Sequence, residues 1–342
     1  LEGAVAQAVT VRLRPTAPLN LPVTLHFVVV QSAQYLTHYS MNFLNKTVLK
    51  GIVLMLLGMS TVPFLDVFAK LLSEDYSVMQ VTWTRFFFHA CWLIPIILWQ
   101  QVQWKRVPES LGLQFMRGLM LTLATLFFFA AIKSNPIPNA LTLLFISPLV
   151  VAILSPTLLG ERFDLFIGAG VLLGFIGVVV VLQPTGDDFK PSLLLAVVAG
   201  VCYALYIIFT KKLSFKAPPV LTLFYSAAVG IAIMLPLALF SWKTPDMKGV
   251  LLGSAMGFFA AASHFFIIKA FEFASASELS PFNYFEIVGA IALSYIIFGY
   301  IPNLQAMIGL FVIMGSGLFV SWRVMKNNDG QAEDKEKLIE PL

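Results

Sequence analysis

Long apolar runs alternate with short polar breaks between residues 48 and 323 of this chain. A helix needs about 20 predominantly apolar residues to cross the hydrocarbon core of a bilayer, whereas membrane β-strands alternate apolar and polar positions over about ten residues. The apolar runs in this chain have the length and continuity of membrane helices. They predict ten transmembrane helices, near residues 48–72, 77–99, 113–133, 137–158, 163–183, 192–213, 218–241, 249–271, 276–299 and 303–323. The expected fold class is therefore an all-α polytopic membrane protein.

The composition excludes several other classes. Hydrophobic residues make up 58% of the chain and charged residues 12%, against about 25% charged in soluble domains. The net charge of +4 is too small and too dispersed to indicate a nucleic-acid partner. Cys91 and Cys202 both lie in apolar runs, which argues against a disulfide scaffold. With neither a metal-ligand cluster nor a nucleotide-binding glycine loop in the sequence, we expect no metal and no cofactor.

The two ends of the chain differ from the part between them. Residues 1–40 contain no Met, few charges and three prolines, and Met41 stands just before the first apolar run. We expect residues 1–40 to be a leader or a non-native extension, disordered and outside the fold. Residues 324–342 mix acidic and basic side chains, which predicts a charged cytoplasmic tail without regular structure.

The distribution of Lys and Arg predicts the orientation of the chain. With the N-terminus in the cytoplasm, most basic side chains fall on the cytoplasmic side, Arg117 among them. An even number of spans places both termini on that side. Trp99, Trp242 and Trp322 fall at span ends, where aromatic anchors are common. The expected location is the plasma membrane, which is the inner membrane of a bacterium.

The sequence also contains an internal repeat. At an offset of 139 positions, Gly160 matches Gly299 and Gly170 matches Gly309. This frame divides the chain into two five-helix repeats, residues 41–183 and 184–323. Five is an odd number, so the second repeat enters the membrane from the opposite side. Inverted repeats of this kind are typical of secondary transporters, which bind substrate near the bilayer midplane at the repeat interface.

The end of the first repeat resembles an EamA domain. Its motif is a proline-containing fourth helix that closes on a Gly-Glu pair before a glycine-rich fifth helix, carried here by Ser147, Pro148, Gly160, Glu161, Arg162 and Gly170. Tandem EamA domains form the ten-span drug/metabolite transporter superfamily. The resemblance implies transport of a small organic solute such as an amino acid, a vitamin or a nucleoside-like metabolite. The second repeat departs from the pattern, because Gly299 is followed by Tyr300 where the family often has Glu.

Polar side chains inside the predicted spans are candidates for substrate binding or ion coupling, because a charge inside the bilayer usually faces a cavity or a partner. Asp66 lies in the first span, and Arg85 and His89 lie four residues apart in the second. We expect Asp66 and Arg85 to pair across the first helical hairpin. The pair would be either a structural ion pair or a coupling site.

Further candidates lie in later spans. Glu286, with Asn283 and Tyr284 just before it, lies in the ninth span. Its repeat-equivalent is Ser147, and we expect the two to form a pair at the midplane. Tyr203 in the sixth span and His264 in the eighth complete the set.

These features favour a secondary transporter that moves a small organic metabolite by alternating access. Proton coupling is one hypothesis, and an uncoupled facilitator or exchanger is its alternative. An integral-membrane enzyme is the alternative from another class, but the sequence lacks the catalytic cluster that it requires. The expected partners are a small-molecule substrate, the lipid bilayer and, in the coupled case, protons. Substrate identity and oligomeric state stay open.

Overall fold

The computed structural model describes residues 23–99, 110–159, 165–182, 190–213, 218–274 and 279–339. The chain divides into two compact units, Leu1–Thr47 and Val48–Leu342. Within the first unit, the backbone is helical from residue 23 onwards. Residues 1–22 lie outside the described part, and the assignment of residues 1–40 to a leader or extension stays a prediction.

Helices form the second unit and, apart from short turns, all of the described chain. They are α1 (Val23–Asp75), α2 (Val78–Trp99), α3 (Leu111–Ser134), α4 (Ile137–Leu144), α5 (Ser147–Leu159), α6 (Leu165–Leu182), α7 (Leu194–Leu213), α8 (Pro219–Leu239), α9 (Met247–Ala270), α10 (Phe285–Phe298) and α11 (Leu304–Ile339). Short 3₁₀ helices at Pro191–Leu193 and Ser280–Tyr284 lead into α7 and α10. α11 continues as a helix to Ile339, through the charged segment that the sequence predicted to lack regular structure.

In the described ranges, six helical segments are long and apolar enough to cross a membrane: Leu49–Asp75, Val78–Trp99, Leu111–Ser134, Pro191–Leu213, Pro219–Leu239 and Met247–Ala270. Four shorter apolar helices cover Ile137–Val151, Gly168–Val181, Phe282–Phe298 and Leu304–Val320. The protein is therefore a multi-pass helical membrane protein. The six long segments coincide with predicted spans, and the shorter helices fall in the other four.

The fourth and ninth predicted spans are broken rather than continuous. The fourth is divided into α4 and α5, and the ninth contains a 3₁₀ helix followed by α10. Pro148 and Pro281 lie at these breaks. Proline lacks the N–H that a helix interior requires but is tolerated in the first turn, so each proline favours the start of a new helix at its position. Discontinuous helices at equivalent positions of two repeats are a common feature of transporter binding sites.

Equivalent helices of the two repeats pack against each other in opposite directions. α6 packs on α11 so that Gly170 lies against Val320 while Val181 lies against Gly309. A Cβ atom at Gly309 would lie 2.9 Å from the Gly177 carbonyl oxygen, so the two backbones are in direct contact. Small residues allow this close approach, on which helix association in lipid depends. α2 and α8 also pack together and run antiparallel, since Phe86 meets Gly230 and the later turns of α2 meet the first turns of α8.

One end of the bundle, the predicted outer side, is closed by hydrogen bonds between the two repeats. Tyr76, after α1, donates its hydroxyl to Asp246 Oδ1, before α9, over 3.1 Å. Gln80 donates to the Lys243 carbonyl over 2.6 Å and accepts from the Lys243 amide over 3.0 Å. Asp246 also accepts from the Gly249 N–H over 2.7 Å, and these two donors hold the pKa of its carboxyl below the ordinary value. We call this set of contacts the outer clasp.

The family-motif residues have structural roles where they are described. Gly299 ends α10 with a φ of +65°, a left-handed conformation that favours glycine. Tyr300, which follows it, donates a hydrogen bond to Asn139 over 3.0 Å and so joins the two repeats at the same end as the outer clasp. Pro148 lies in the first turn of α5. The predicted Gly160, Glu161 and Arg162 turn lies outside the described residues.

Candidate functional site

A cavity of about 80 Å³ lies between helices of both repeats. Its wall is mostly apolar and includes Phe128 and Phe129 of α3. Of the described residues, six polar side chains line it, three from each repeat: Asp66, Arg85 and Thr125 from the first, and Tyr203, His264 and Glu286 from the second. The cavity therefore brings together five of the nine candidates predicted from the sequence, on five different helices.

Two of the three guanidinium nitrogens of Arg85 have hydrogen-bond partners among the described residues, and the third has none. The side chain is 3% exposed. One terminal nitrogen donates to the Thr125 hydroxyl, and the other lies 2.9 Å from His264 Nε2. Nε is buried and has no hydrogen-bond partner among the described residues. A buried donor without a partner carries the full cost of its lost hydration, so a ligand that supplies an acceptor is favoured here.

The expected ion pair between Asp66 and Arg85 is replaced by this arrangement. The two charges interact electrostatically, but the described hydrogen bonds of the guanidinium go to Thr125 and His264. Asp66 Oδ2 is buried, and no described residue forms a hydrogen bond with it. The prediction of a direct pair was wrong because helices α3 and α9, distant in sequence, bring acceptors closer to the guanidinium.

Two carboxylates face the same cavity as Arg85. Asp66 comes from α1, and Glu286 comes from the first turn of α10, after the break in the ninth span. Both are buried, with exposures of 2% and 9%. A buried carboxylate is stable only when a proton, a cation or hydrogen-bond donors compensate its charge. The cavity thus offers one cationic group and two acidic groups to a small solute.

Aromatic and imidazole rings extend the polar side of the cavity into the second repeat. Tyr203 stacks on Tyr206 with 5.5 Å between ring centroids. His264 stacks on His89 with 6.2 Å between centroids and 9° between planes. His89 is fully buried; in the described part of the chain neither of its ring nitrogens has a hydrogen-bond partner, and it is not among the residues that line the cavity. His89 therefore packs against the ring of His264, which lines the cavity.

The structure does not bring the remaining three candidates to the cavity wall. Ser147 is buried at the start of α5, the position that is equivalent to Glu286 near the start of α10. Only Glu286 of the two lines the cavity. Tyr284 packs its ring 5.1 Å from Phe145 and its hydroxyl against Gly317 of α11. Asn283 is half-buried in the 3₁₀ helix before α10.

Sequence reasoning missed Arg117, which it placed among the basic residues of the cytoplasmic side. The side chain is fully buried in α3. It donates to four groups of the second repeat, the Thr210 hydroxyl, the Thr222 carbonyl, the Ser226 hydroxyl and the Tyr206 hydroxyl. Its position four residues inside the predicted third span was a signal that it does not lie in a loop.

Comparison with known proteins identifies the kind of molecule. The profile of the EamA-like transporter family matches residues 49–183 and 190–322. The S-adenosylmethionine uptake transporter of Rickettsia prowazekii is 29% identical over 86% of this chain and 100% of its own length, and that of Rickettsia conorii is 30% identical over 84% and 97%. The riboflavin transporter of Vibrio cholerae is 31% identical over 56% of this chain and 65% of its own length.

A solved crystal structure agrees with the fold. It superposes with a TM-score of 0.59 at 21% identity, over 82% of this chain and 98% of the other. The two matched repeats confirm the resemblance to the drug/metabolite transporter superfamily drawn from the sequence. The matches show a transporter of a small metabolite rather than an enzyme.

Proposed function

Because the chain belongs to the EamA-like transporter family, we propose that it is a secondary transporter that takes up S-adenosylmethionine through the cavity around Arg85. S-adenosylmethionine carries a carboxylate, an ammonium, a sulfonium and an adenine ring. The observation that carries the proposal is the cavity that combines Arg85 with Asp66 and Glu286. The guanidinium is suited to a carboxylate, and the two acidic groups are suited to the two cationic centres.

The aromatic wall suits the remaining part of the solute. Phe128, Phe129 and Tyr203 line the cavity beside the charged groups, and aromatic faces bind both planar rings and cations. Riboflavin, which the Vibrio cholerae relative is named for, also has a planar ring but lacks the ammonium and the carboxylate. Riboflavin would supply no cation to Asp66 and Glu286 and no carboxylate to Arg85, so the polar groups of the cavity favour S-adenosylmethionine.

Alternating access is supported by the packing of the repeats. The antiparallel pairs α2 with α8 and α6 with α11 are those expected of two inverted five-helix repeats with ten spans. In the outward-facing state, we expect the hydrogen bonds of the outer clasp to be broken. Both termini lie on the cytoplasmic side of the inner membrane.

Uptake into proteoliposomes tests the substrate. We expect purified protein to accumulate labelled S-adenosylmethionine, with competition by unlabelled S-adenosylmethionine and little competition by riboflavin. Liposomes without protein give the background. Efficient riboflavin uptake without S-adenosylmethionine uptake would reverse the assignment, and movement of neither compound would reject it.

We further propose that Glu286 carries the proton in coupled transport. An inward-directed proton gradient should drive wild-type protein to concentrate substrate, while Glu286→Gln should only exchange it across the membrane. Glu272→Gln is the matched control, because Glu272 is a more exposed carboxylate paired with Lys269 over 2.8 Å. A Glu286→Gln protein that still concentrates substrate would remove Glu286 from this role and favour either Asp66 or uncoupled exchange.

A further inference from the structure

We infer that His264 is a positioning residue for Arg85: its unprotonated Nε2 holds the guanidinium at the cavity, and Tyr206, itself held by Arg117, lies where it can accept from the Nδ1–H of the tautomer that this requires. The inference rests on the proposed function in one respect, that Arg85 receives the carboxylate of the substrate. The hydrogen-bond arrangement behind it does not depend on the substrate.

The first step follows from the chemistry of the contact between Arg85 and His264. A guanidinium only donates hydrogen bonds. His264 Nε2 lies 2.9 Å from an Arg85 terminal nitrogen, so this ring nitrogen must accept. A neutral imidazole has one accepting nitrogen and one that carries a proton. The geometry therefore assigns the proton of His264 to Nδ1.

The second step concerns the other ring nitrogen. His264 Nδ1 lies 3.5 Å from the Tyr206 hydroxyl oxygen, which is longer than the usual N–H···O distance of about 2.7–3.2 Å and makes this the weakest contact of the chain. The same oxygen accepts from an Arg117 terminal nitrogen over 2.9 Å. A hydroxyl oxygen has two lone pairs. It can therefore accept from Arg117 and from His264 Nδ1–H together, which agrees with the tautomer required by Arg85.

The third step is the result for the binding site. The chain of contacts runs from Arg117 through Tyr206 and His264 to Arg85. Its first and last contacts join the two repeats, because the arginines lie on α2 and α3, whereas its middle contact joins α7 to α9 within the second repeat. Thr125 holds the other terminal nitrogen of Arg85. Within the part of the chain that the structure describes, Nε is then the one guanidinium nitrogen without a hydrogen-bond partner. Its N–H is the group that would donate to the carboxylate of the substrate.

A pair of matched variants tests the inference. His264→Gln places a carbonyl oxygen near the position of Nε2, whereas His264→Met has a similar length and no such acceptor. We expect the KM for S-adenosylmethionine to stay within about threefold of wild type for Gln and to rise about tenfold for Met. Decarboxylated S-adenosylmethionine lacks the carboxylate, so its KM should differ little between the two variants.

The outcomes separate the inference from the proposed function. Equal KM changes in the Gln and Met variants, or an equal effect on the decarboxylated compound, would overturn the positioning role. Failure of the wild-type protein to bind or move S-adenosylmethionine would instead reject the proposed function. The tautomer can then still be measured by ¹⁵N NMR of histidine-labelled protein, with His264→Gln used to assign the signal. We expect Nδ1–H in wild type, because Arg85 requires Nε2 to accept; Nε2–H in wild type would refute the inference.

Discussion

Arg85 and Arg117 are two buried arginines in the first repeat, and the difference between them separates a binding group from a structural one. Their side chains are 3% and 0% exposed, and both donate to residues of the second repeat. Arg117 uses all three of its nitrogens in four hydrogen bonds to neutral groups. Arg85 has one nitrogen that no described residue contacts by a hydrogen bond, and it shares a cavity with two carboxylates.

The comparison shows that the presence of a charge inside the membrane is not sufficient evidence of a site. Such a charge must be compensated, either by the protein or by a ligand. At Arg117 the protein supplies the compensation, and the side chain joins α3 to α7 and α8. At Arg85 the protein supplies only part of it. The group with incomplete partners is the one that is available to a substrate.

The largest expected effect is the loss of transport in Arg85→Gln. The variant removes the guanidinium that receives the substrate carboxylate, so we expect the uptake rate per folded molecule at low substrate concentration to fall about 100-fold, as two lost charge-assisted hydrogen bonds would imply. The thermal midpoint should change little, since Arg85 has few structural partners. Near-normal uptake would place Arg85 in the same structural class as Arg117.

Arg117→Gln should lower the stability of the protein more than it lowers uptake, which is the reverse of what we expect for Arg85→Gln. The shorter, uncharged side chain cannot reach all four partners on α7 and α8, so we expect the free energy of unfolding to fall by about 2–3 kcal/mol. A lower thermal midpoint in detergent would show this. Uptake per folded molecule should fall far less than in Arg85→Gln, because Arg117 acts on the site only through Tyr206 and His264. A loss of uptake as large as that of Arg85→Gln, with unchanged stability, would contradict the comparison.

The smallest expected effects come from the threonines that partner the two arginines. Thr125→Val removes one acceptor of Arg85, and Thr210→Val removes one acceptor of Arg117. Each loss corresponds to about 1 kcal/mol. For Thr125→Val we expect about a fivefold increase in KM, and for Thr210→Val a small decrease in thermal midpoint with KM unchanged. Parallel KM and melting measurements on both variants distinguish this pattern from equal effects at the two sites.

Individual candidates show how far sequence reasoning reached into the site. Asp66, Arg85 and His264 were identifiable because each is a polar side chain inside an apolar run, and all three line the cavity. Ser147 was paired with Glu286 through the repeat frame, yet only Glu286 reaches the cavity. Arg117 was assigned to the cytoplasmic side, because counting basic residues near span ends takes no account of what a side chain contacts.

The sequence by itself determined the membrane class, the division into two repeats and the family. Hydropathy is a local property that is set by the 20 or so residues of each helix, and a repeat is visible wherever the two copies keep the same frame. Only the tertiary structure decided which polar groups meet. Arg85 and His264 are 179 positions apart, and Arg117 and Tyr206 are 89 apart. Such partners are chosen by helix packing, because the direction of a side chain in a bundle depends on the rotation and neighbours of its helix.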